Sequence, residues 1–222
     1  MDYGSVVFDM DGVILDFEGD GFNWKYDAVR EVLQERGVDP SGYSRTELDA
    51  FLGDRGVEAC VEACNDLGLE AGDVWEDIAR KTSEARIERV RSGEFTLFPE
   101  VREVLEQLED MKLGLGVISN APEEAVEAVI THYNLRKHFK FFRGITGFDD
   151  LTSRKPHPDH LRMAQAELKR EPYIYAGDAE SDLIAAREAG MDSAWVKRTD
   201  AKVDVRPDYE VKDLEEFIEV VT

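Results

Sequence analysis

Apolar residues keep two rhythms along the chain, and the change between them divides it. Ser5 to Phe8 is a short β-branched and aromatic run closed by Asp9, a pattern that predicts a buried strand. Asp11-Gly12 then turns the chain. From about residue 22 to residue 93 the spacing is helical. Trp24, Ala28, Val29, Val32 and Leu33 form a first stripe, and Leu48, Phe51 and Leu52 a second. Val57, Val61, Cys64 and Leu67 form a third, and Trp75, Ile78, Ala79, Ala85, Ile87 and Val90 a long fourth. Gly37, Gly68 and Gly93 supply the stops. After Pro99 the rhythms alternate. Helices are expected over about 100–111, 122–133, 158–168, 181–189 and 214–220. Strands are expected over 113–118, 140–146, 173–176 and 193–196. Strands separated by helices of this length need crossovers and build a parallel sheet. The expected architecture is α/β: a core from residues 1–16 and 94–222, interrupted after its first strand by an all-helical insert over 17–93.

Composition adjusts this picture in three ways. Hydrophobic residues make up 42%, enough for a core in 222 residues. The 49 acidic against 27 basic residues give a net charge of -22, with the acids scattered rather than gathered in a tail. Such a surface repels phosphate backbones, so nucleic acid is excluded as a partner. It fits a high-salt cytoplasm, where dense counterions screen self-repulsion. The two cysteines, Cys60 and Cys64, stand four apart on a helical stripe and are expected to pack at a helix interface rather than to staple a secreted fold. Acidic Asp2 followed at once by a strand predicts no signal peptide, and no apolar run approaches the roughly 18 residues of a membrane span. The expectation is a cytoplasmic protein with no membrane partner, monomeric or homodimeric.

Open parallel sheets bind ligands beyond the carboxyl ends of their strands. Here those ends carry Asp9 and Asp11, Ser119 and Asn120, and Asp178 with Asp182, while a loop supplies Lys155. Carboxylates with an adjacent backbone carbonyl make an oxygen-rich site suited to Mg²⁺. A metal flanked by an ammonium and a hydroxyl makes a receptor for a phosphoryl group.

These residues also carry a resemblance. The run from Val6 to Val13, with Phe8-Asp9-Met10-Asp11-Gly12 at its centre, resembles the first signature of the haloacid-dehalogenase-like hydrolases. Ile118-Ser119-Asn120 resembles their second motif, Arg154-Lys155-Pro156-His157-Pro158 the third, and the run from Gly177 to Asp182 the fourth. The order is the family's, and the motifs span nearly the whole core. The resemblance implies a Rossmann-like three-layer core with a helical cap, and a phosphatase of the phosphoglycolate phosphatase-like branch. Asp9 is then the nucleophile, forming an aspartyl-phosphate. Asp9, Asp178 and the Asp11 backbone carbonyl hold Mg²⁺. Lys155, Ser119 and Asn120 bind the phosphoryl oxygens. Asp11 is the acid for the leaving alkoxide and then the base for water. Asp182 orients Lys155 or a metal-bound water.

In this family a cap inserted after the first strand reads the leaving group, and residues 52–56 resemble its specificity loop, which makes Arg55 a possible contact to an anionic substrate. The segment 15–22 departs from the common family run, which leaves the substrate open. A small phosphorylated metabolite is expected. A sugar-phosphate mutase uses the same chemistry. A phosphonatase would offer a cap lysine, and the insert's lysines are Lys25 and Lys81. Dehalogenases lack the second acid, so Asp11 argues against them. A non-catalytic binding protein on the same fold is the rival from another class. Trp24 and Trp75 are expected in the insert's own core. His157 is placed at the site edge or in a loop without a role, and His132, His138 and His160 on helices or the surface.

Overall fold

A computed structural model of the chain describes residues 3–17 and 23–222. The strands, in chain order, are β1 (Ser5–Phe8), β2 (Leu15–Asp16), β3 (Thr96–Leu97), β4 (Gly114–Pro122), β5 (Phe141–Ile145), β6 (Tyr173–Gly177), β7 (Asp192–Val196) and β8 (Tyr209–Val211). The helices are α1 (Asn23–Glu35), α2 (Arg45–Phe51), α3 (Val57–Asn65), α4 (Ala71–Ser92), α5 (Val101–Asp110), α6 (Glu123–His132), α7 (Asp159–Leu168), α8 (Glu180–Ala189) and α9 (Leu214–Val221).

Six strands form a parallel sheet in the order β5-β4-β1-β6-β7-β8. The strand period of two sorts β1 between the faces. Val6 and Phe8 join one apolar cluster with residues of α5, α6 and α9, and Val7 joins another with residues of α7 and α8. This is the parallel α/β sheet expected from the alternation of rhythms, in the three-layer arrangement that the resemblance implies. Because β1 is central and covered on both faces, Val6, Val7 and Phe8 are fully buried, each worth roughly 1.5–3 kcal/mol.

Helices α1 to α4 gather a separate cluster around Val29, Val32, Leu33, Leu48, Phe51, Val74 and Ile78. Cys60 and Cys64 are both free and buried within it, as their helical spacing suggests. The two strands that hydropathy missed, β2 and β3, pair antiparallel, Leu15 with Leu97 and Asp16 with Thr96. The chain therefore leaves for the helical segment and returns from it side by side. A two-residue strand is too short to show a period. The edge strand β8 was missed for the same reason.

Three expectations need correction. Trp24 and Trp75 are outside the cluster of α1–α4. Trp24, on the first turn of α1, packs on Phe95 with ring centroids 5.9 Å apart and belongs to the main core cluster. Trp75 packs with Ile145 and Leu151. Both line the cavity between the helical segment and the sheet rather than the interior of the helical cluster. His160 lies on α7, a helix as expected, and is buried, whereas His138 is buried in a turn rather than on a helix or the surface. Carboxylates make this burial tolerable: His138 bonds Glu109 at 2.8 Å and His160 bonds Asp150 at 3.0 Å.

Candidate active site

β1 ends at Asp9, whose N–H donates to Ala176 O at 2.8 Å. The chain then folds tightly back: the N–H groups of Ile14 and Leu15 both reach Met10 O, and Gly12 N–H reaches Leu15 O at 2.9 Å. This turn needs Gly12, which has φ +74° and where a Cβ would collide with the Asp178 carboxylate. Gly177 is needed likewise, because a Cβ there would collide with Asp182. Arg198 clamps the turn from outside, donating to Gly12 O and Val13 O and pairing with Glu100 at 2.6 Å. Trp195 Nε1 anchors the Asp178 carbonyl at 3.0 Å.

The sheet order brings the separate motifs together. β4 and β6 flank β1, so Ser119 and Asp178 stand on either side of Asp9. β4 runs further than its hydropathy suggests, with a register shift against β5 between Ile118 and Pro122 that carries Ser119 and Asn120 at its end. Lys155 is buried, and its Nζ lies 2.6 Å from Asp182 Oδ1, 2.7 Å from Asp9 Oδ1, 2.7 Å from the Tyr175 hydroxyl and 3.3 Å from Ile118 O. Its backbone is held as firmly. Asn120 accepts from Lys155 N–H and donates to Lys155 O, both at 3.0 Å. The Asn120 amide, expected on the phosphoryl group, is thus engaged with Lys155. Ser119 Oγ accepts from Ala121 N–H at 3.1 Å. Asp182 also accepts from Ala179 N–H at 3.0 Å, so it caps α8 and holds Lys155 at once.

Electrostatics follow from this crowding. Asp9, Asp178 and Asp182 place carboxylate oxygens within 4.8 Å of one another. Burial pushes the Asp9 carboxyl well above its ordinary range, against the pull of Lys155 and with help from the neighbouring acids. Burial and Asp182 push Asp178 up to about 7. Burial alone would depress Lys155, but Asp182 and Asp9 overcome it and raise it. An oxygen-only donor set with excess negative charge is what a hard divalent cation requires.

The Asp11 carboxylate is turned away from this cluster. It forms a two-pronged ion pair with Arg86 of α4, at 2.5 and 2.7 Å. Burial works upward on Asp11, but the charge and hydrogen bonds of Arg86 outweigh it and hold the group below its ordinary value. Arg86 is almost fully buried, with its guanidinium 5.4 Å from the Trp24 ring. Its Nε has no partner among the described residues. Beside it lies a small cavity of about 40 Å³ between the helical segment and the sheet, lined by Trp24, Lys25, Trp75, Arg86, Asn120 and Arg154 among others.

Arg55, expected to meet an anionic substrate, is exposed and borders a different groove with Tyr43 and Glu62. The residue that does bind its loop is Arg154, which pairs with Asp54 and donates to Leu52 O at 3.3 Å. His157 is exposed beside Asp159 and does not line the cavity. Sequence reasoning missed Arg86, Arg154, Arg198 and Tyr175. Arg86 alone had a visible signal: Trp75, Ala79, Thr82 and Arg86 recur at helical spacing, which puts a cation on an otherwise weakly polar stripe.

A parallel sheet whose strand ends hold an aspartate pair, a serine, a lysine and further acids defines a class of hydrolase. A family model for haloacid dehalogenase-like hydrolases matches residues 6–196, and the chain belongs to that family. A phosphoglycolate phosphatase of Photorhabdus laumondii is 28% identical over 192 residues, covering 84% of this chain and 76% of its own. Pyrophosphatase PpaX of Oceanobacillus iheyensis is 31% identical over 132 residues, 57% of this chain and 60% of that protein. Among solved structures, CbbY from Rhodobacter sphaeroides in complex with phosphate superposes with a TM-score of 0.73 at 21% identity, covering 97% of this chain and 96% of that one. At that identity the likeness is one of fold. No helix among the described residues is long and apolar enough to cross a membrane.

Proposed function

We propose that the chain is a Mg²⁺-dependent phosphatase that hydrolyses a small phosphate monoester through an aspartyl-phosphate on Asp9. The observation that carries this reading is the convergence of Asp9, Ser119, Lys155 and Asp178 at the ends of three adjoining strands, with Lys155 Nζ 2.7 Å from Asp9. Asp9, Asp178 and the Asp11 backbone carbonyl would hold Mg²⁺, since the acids crowd their oxygens together and Gly12 lets the Asp178 carboxylate approach the turn. When bound, the ion neutralises phosphoryl charge that would otherwise repel the carboxylate nucleophile.

The chain's own residues do the rest. Asp9 Oδ attacks phosphorus, the bond to the leaving oxygen breaks, and Asp11 gives that oxygen a proton. Water then attacks phosphorus, Asp11 takes its proton, and phosphate departs from a regenerated Asp9. Lys155 faces both Asp9 and the incoming oxygens, and Asp182, Tyr175 and Asn120 fix where it stands. Ser119 donates to a phosphoryl oxygen. The helical segment α1–α4 covers the site as a cap and bounds the leaving-group cavity. The names of the phosphoglycolate phosphatase relatives support a compact anionic monoester as substrate.

The test is release of inorganic phosphate from a panel of phosphorylated metabolites, at molar KCl, with Mg²⁺ and with chelator. Turnover of small monoesters that disappears in chelator supports the reading. Absence of turnover of every monoester in Mg²⁺ by folded protein overturns it in favour of a binding protein on the same fold.

A further inference from the structure

We propose that Arg86 is the receptor for a second anionic group on the substrate, a carboxylate on the leaving group, and that in the free protein Asp11 occupies that receptor in the substrate's place. The inference rests on the phosphatase reading and deepens it. Arg86 offers the paired face of its guanidinium, and the Asp11 carboxylate fills that face with two bonds. A second carboxylate cannot take the same two donors while Asp11 holds them. The two partners differ in how firmly they are fixed. Arg86 lies in a regular stretch of α4, buried, beside the Trp24 ring. Asp11 lies on the turn after β1. Exchange of carboxylates therefore leaves Arg86 where it is and lets Asp11 go.

The surroundings point to an anion. Arg86 Nε is a buried donor with no partner among the described residues, at the wall of the cavity. The cavity is lined by three cationic side chains, Lys25, Arg86 and Arg154, and by one acid, Asp54, which Arg154 already pairs. In a chain of net charge -22 this is a local reversal of sign. Arg86 also joins cavity and catalytic strand ends: it lines the first and bonds Asp11 of the second. A small monoester with its phosphoryl group at Asp9 and its carboxylate on Arg86 would displace the Asp11 carboxylate and free that side chain to take a proton from solvent and turn to the leaving oxygen. A monoester without the second anion would leave Asp11 on Arg86. The proposal thus makes the substrate's own charge the key that frees the acid.

The experiment compares 2-phosphoglycolate with ethyl phosphate, a monoester of similar size without the carboxylate. Steady-state kcat and KM are measured for wild type, Arg86→Gln and Arg86→Lys, each checked for native secondary structure. Wild type should prefer 2-phosphoglycolate. Arg86→Gln should lose that preference by about 10- to 100-fold, through a higher KM for 2-phosphoglycolate and, with Asp11 no longer held, no fall in kcat for ethyl phosphate, and Arg86→Lys should recover part of it. If Gln does not fold, the Lys variant alone must show a KM rise confined to 2-phosphoglycolate. Equal losses on both substrates, or a loss in kcat with KM unchanged, would show that Arg86 merely positions Asp11 and overturn the inference. Wild type that turns over ethyl phosphate with no preference for 2-phosphoglycolate also overturns it and leaves the phosphatase reading intact. Wild type that hydrolyses neither ester overturns both.

Discussion

Replacing Lys155 by Met removes the cation in contact with Asp9 and Asp182. Methionine is similar in length and fills most of the space, so packing changes little and the effect is electrostatic. Lys155 Nζ sits within 2.7 Å of both Asp9 and Asp182, and Asp178 is part of the same cluster. With all three acids ionised, the local charge moves from -2 to -3. Breaking a buried pair in this way costs about 3–5 kcal/mol. For a chain of this size each kcal/mol moves the melting temperature by about 2–4 °C, so the expected loss is about 6–20 °C. Asp178 has its carboxyl raised to about 7, and Asp9 is raised too, so protons relieve the repulsion as pH falls. The loss should be largest at pH 8 and should shrink toward pH 5. Mg²⁺ should restore part of it by taking the place of the missing charge. The assay is thermal unfolding by circular dichroism at fixed molar KCl, with chelator or with Mg²⁺, at both pH values. A drop below about 3 °C at pH 8 in chelator, or one independent of pH and Mg²⁺, would show that the cluster does not carry the charge assigned to it.

Three further outcomes are expected. Asp11→Asn should lose activity by about 10²–10⁴-fold on an alkyl phosphate but much less on an aryl phosphate with a good leaving group; equal losses would show that Asp11 is not the acid. The melting temperature should rise with KCl, because a net charge of -22 repels itself across a Debye length of about 30 Å at 0.01 M but only about 3 Å at 1 M; a flat or falling curve would refute the high-salt reading. The stabilisation conferred by Mg²⁺ should be greater at pH 8 than at pH 6. The raised Asp178 carboxyl binds a proton that the metal must displace below about 7, and the metal-free protein correspondingly loses stability as pH rises through that value. A Mg²⁺ effect that is larger at pH 6 would contradict this, read from melting curves with and without the ion.

The helices and the sheet were legible because their residues repeat. Val6, Val7 and Phe8 announce a two-sided strand, and the stripes of α1, α4 and α5 keep a helical period over several turns. The short pair β2–β3 and the edge strand β8 are not, since two or three residues hold no period and their pairing is fixed by partners far along the chain. The catalytic strand ends were legible because Asp9, Ser119, Lys155 and Asp178 stand in recognisable local motifs. Their supports were not. Tyr175 reads as one more strand residue until its hydroxyl is seen on Lys155, and Arg198 as a surface cation until it is seen on the turn at Gly12. The specificity loop misled for a similar reason. Two arginines flank the question, and the exposed one, Arg55, lies in the loop, while the one that binds that loop, Arg154, comes from the lysine motif on the core. Arg86 carries the same lesson further, because only the docking of α4 against the sheet brings it to Asp11.

The central claim is that Asp9 becomes covalently phosphorylated, and acid-quenched single turnover tests it most directly. Protein in excess of a hydrolysable monoester is mixed with Mg²⁺, quenched within milliseconds in acid, digested, and searched by mass spectrometry for an acyl phosphate. The account predicts a phosphoryl group on the peptide containing Asp9, transient in wild type and longer-lived in Asp11→Asn, whose second step lacks its base, and absent in Asp9→Asn, which should keep the fold but lose turnover. A phosphoryl group on another residue, or undiminished turnover by correctly folded Asp9→Asn, would contradict it.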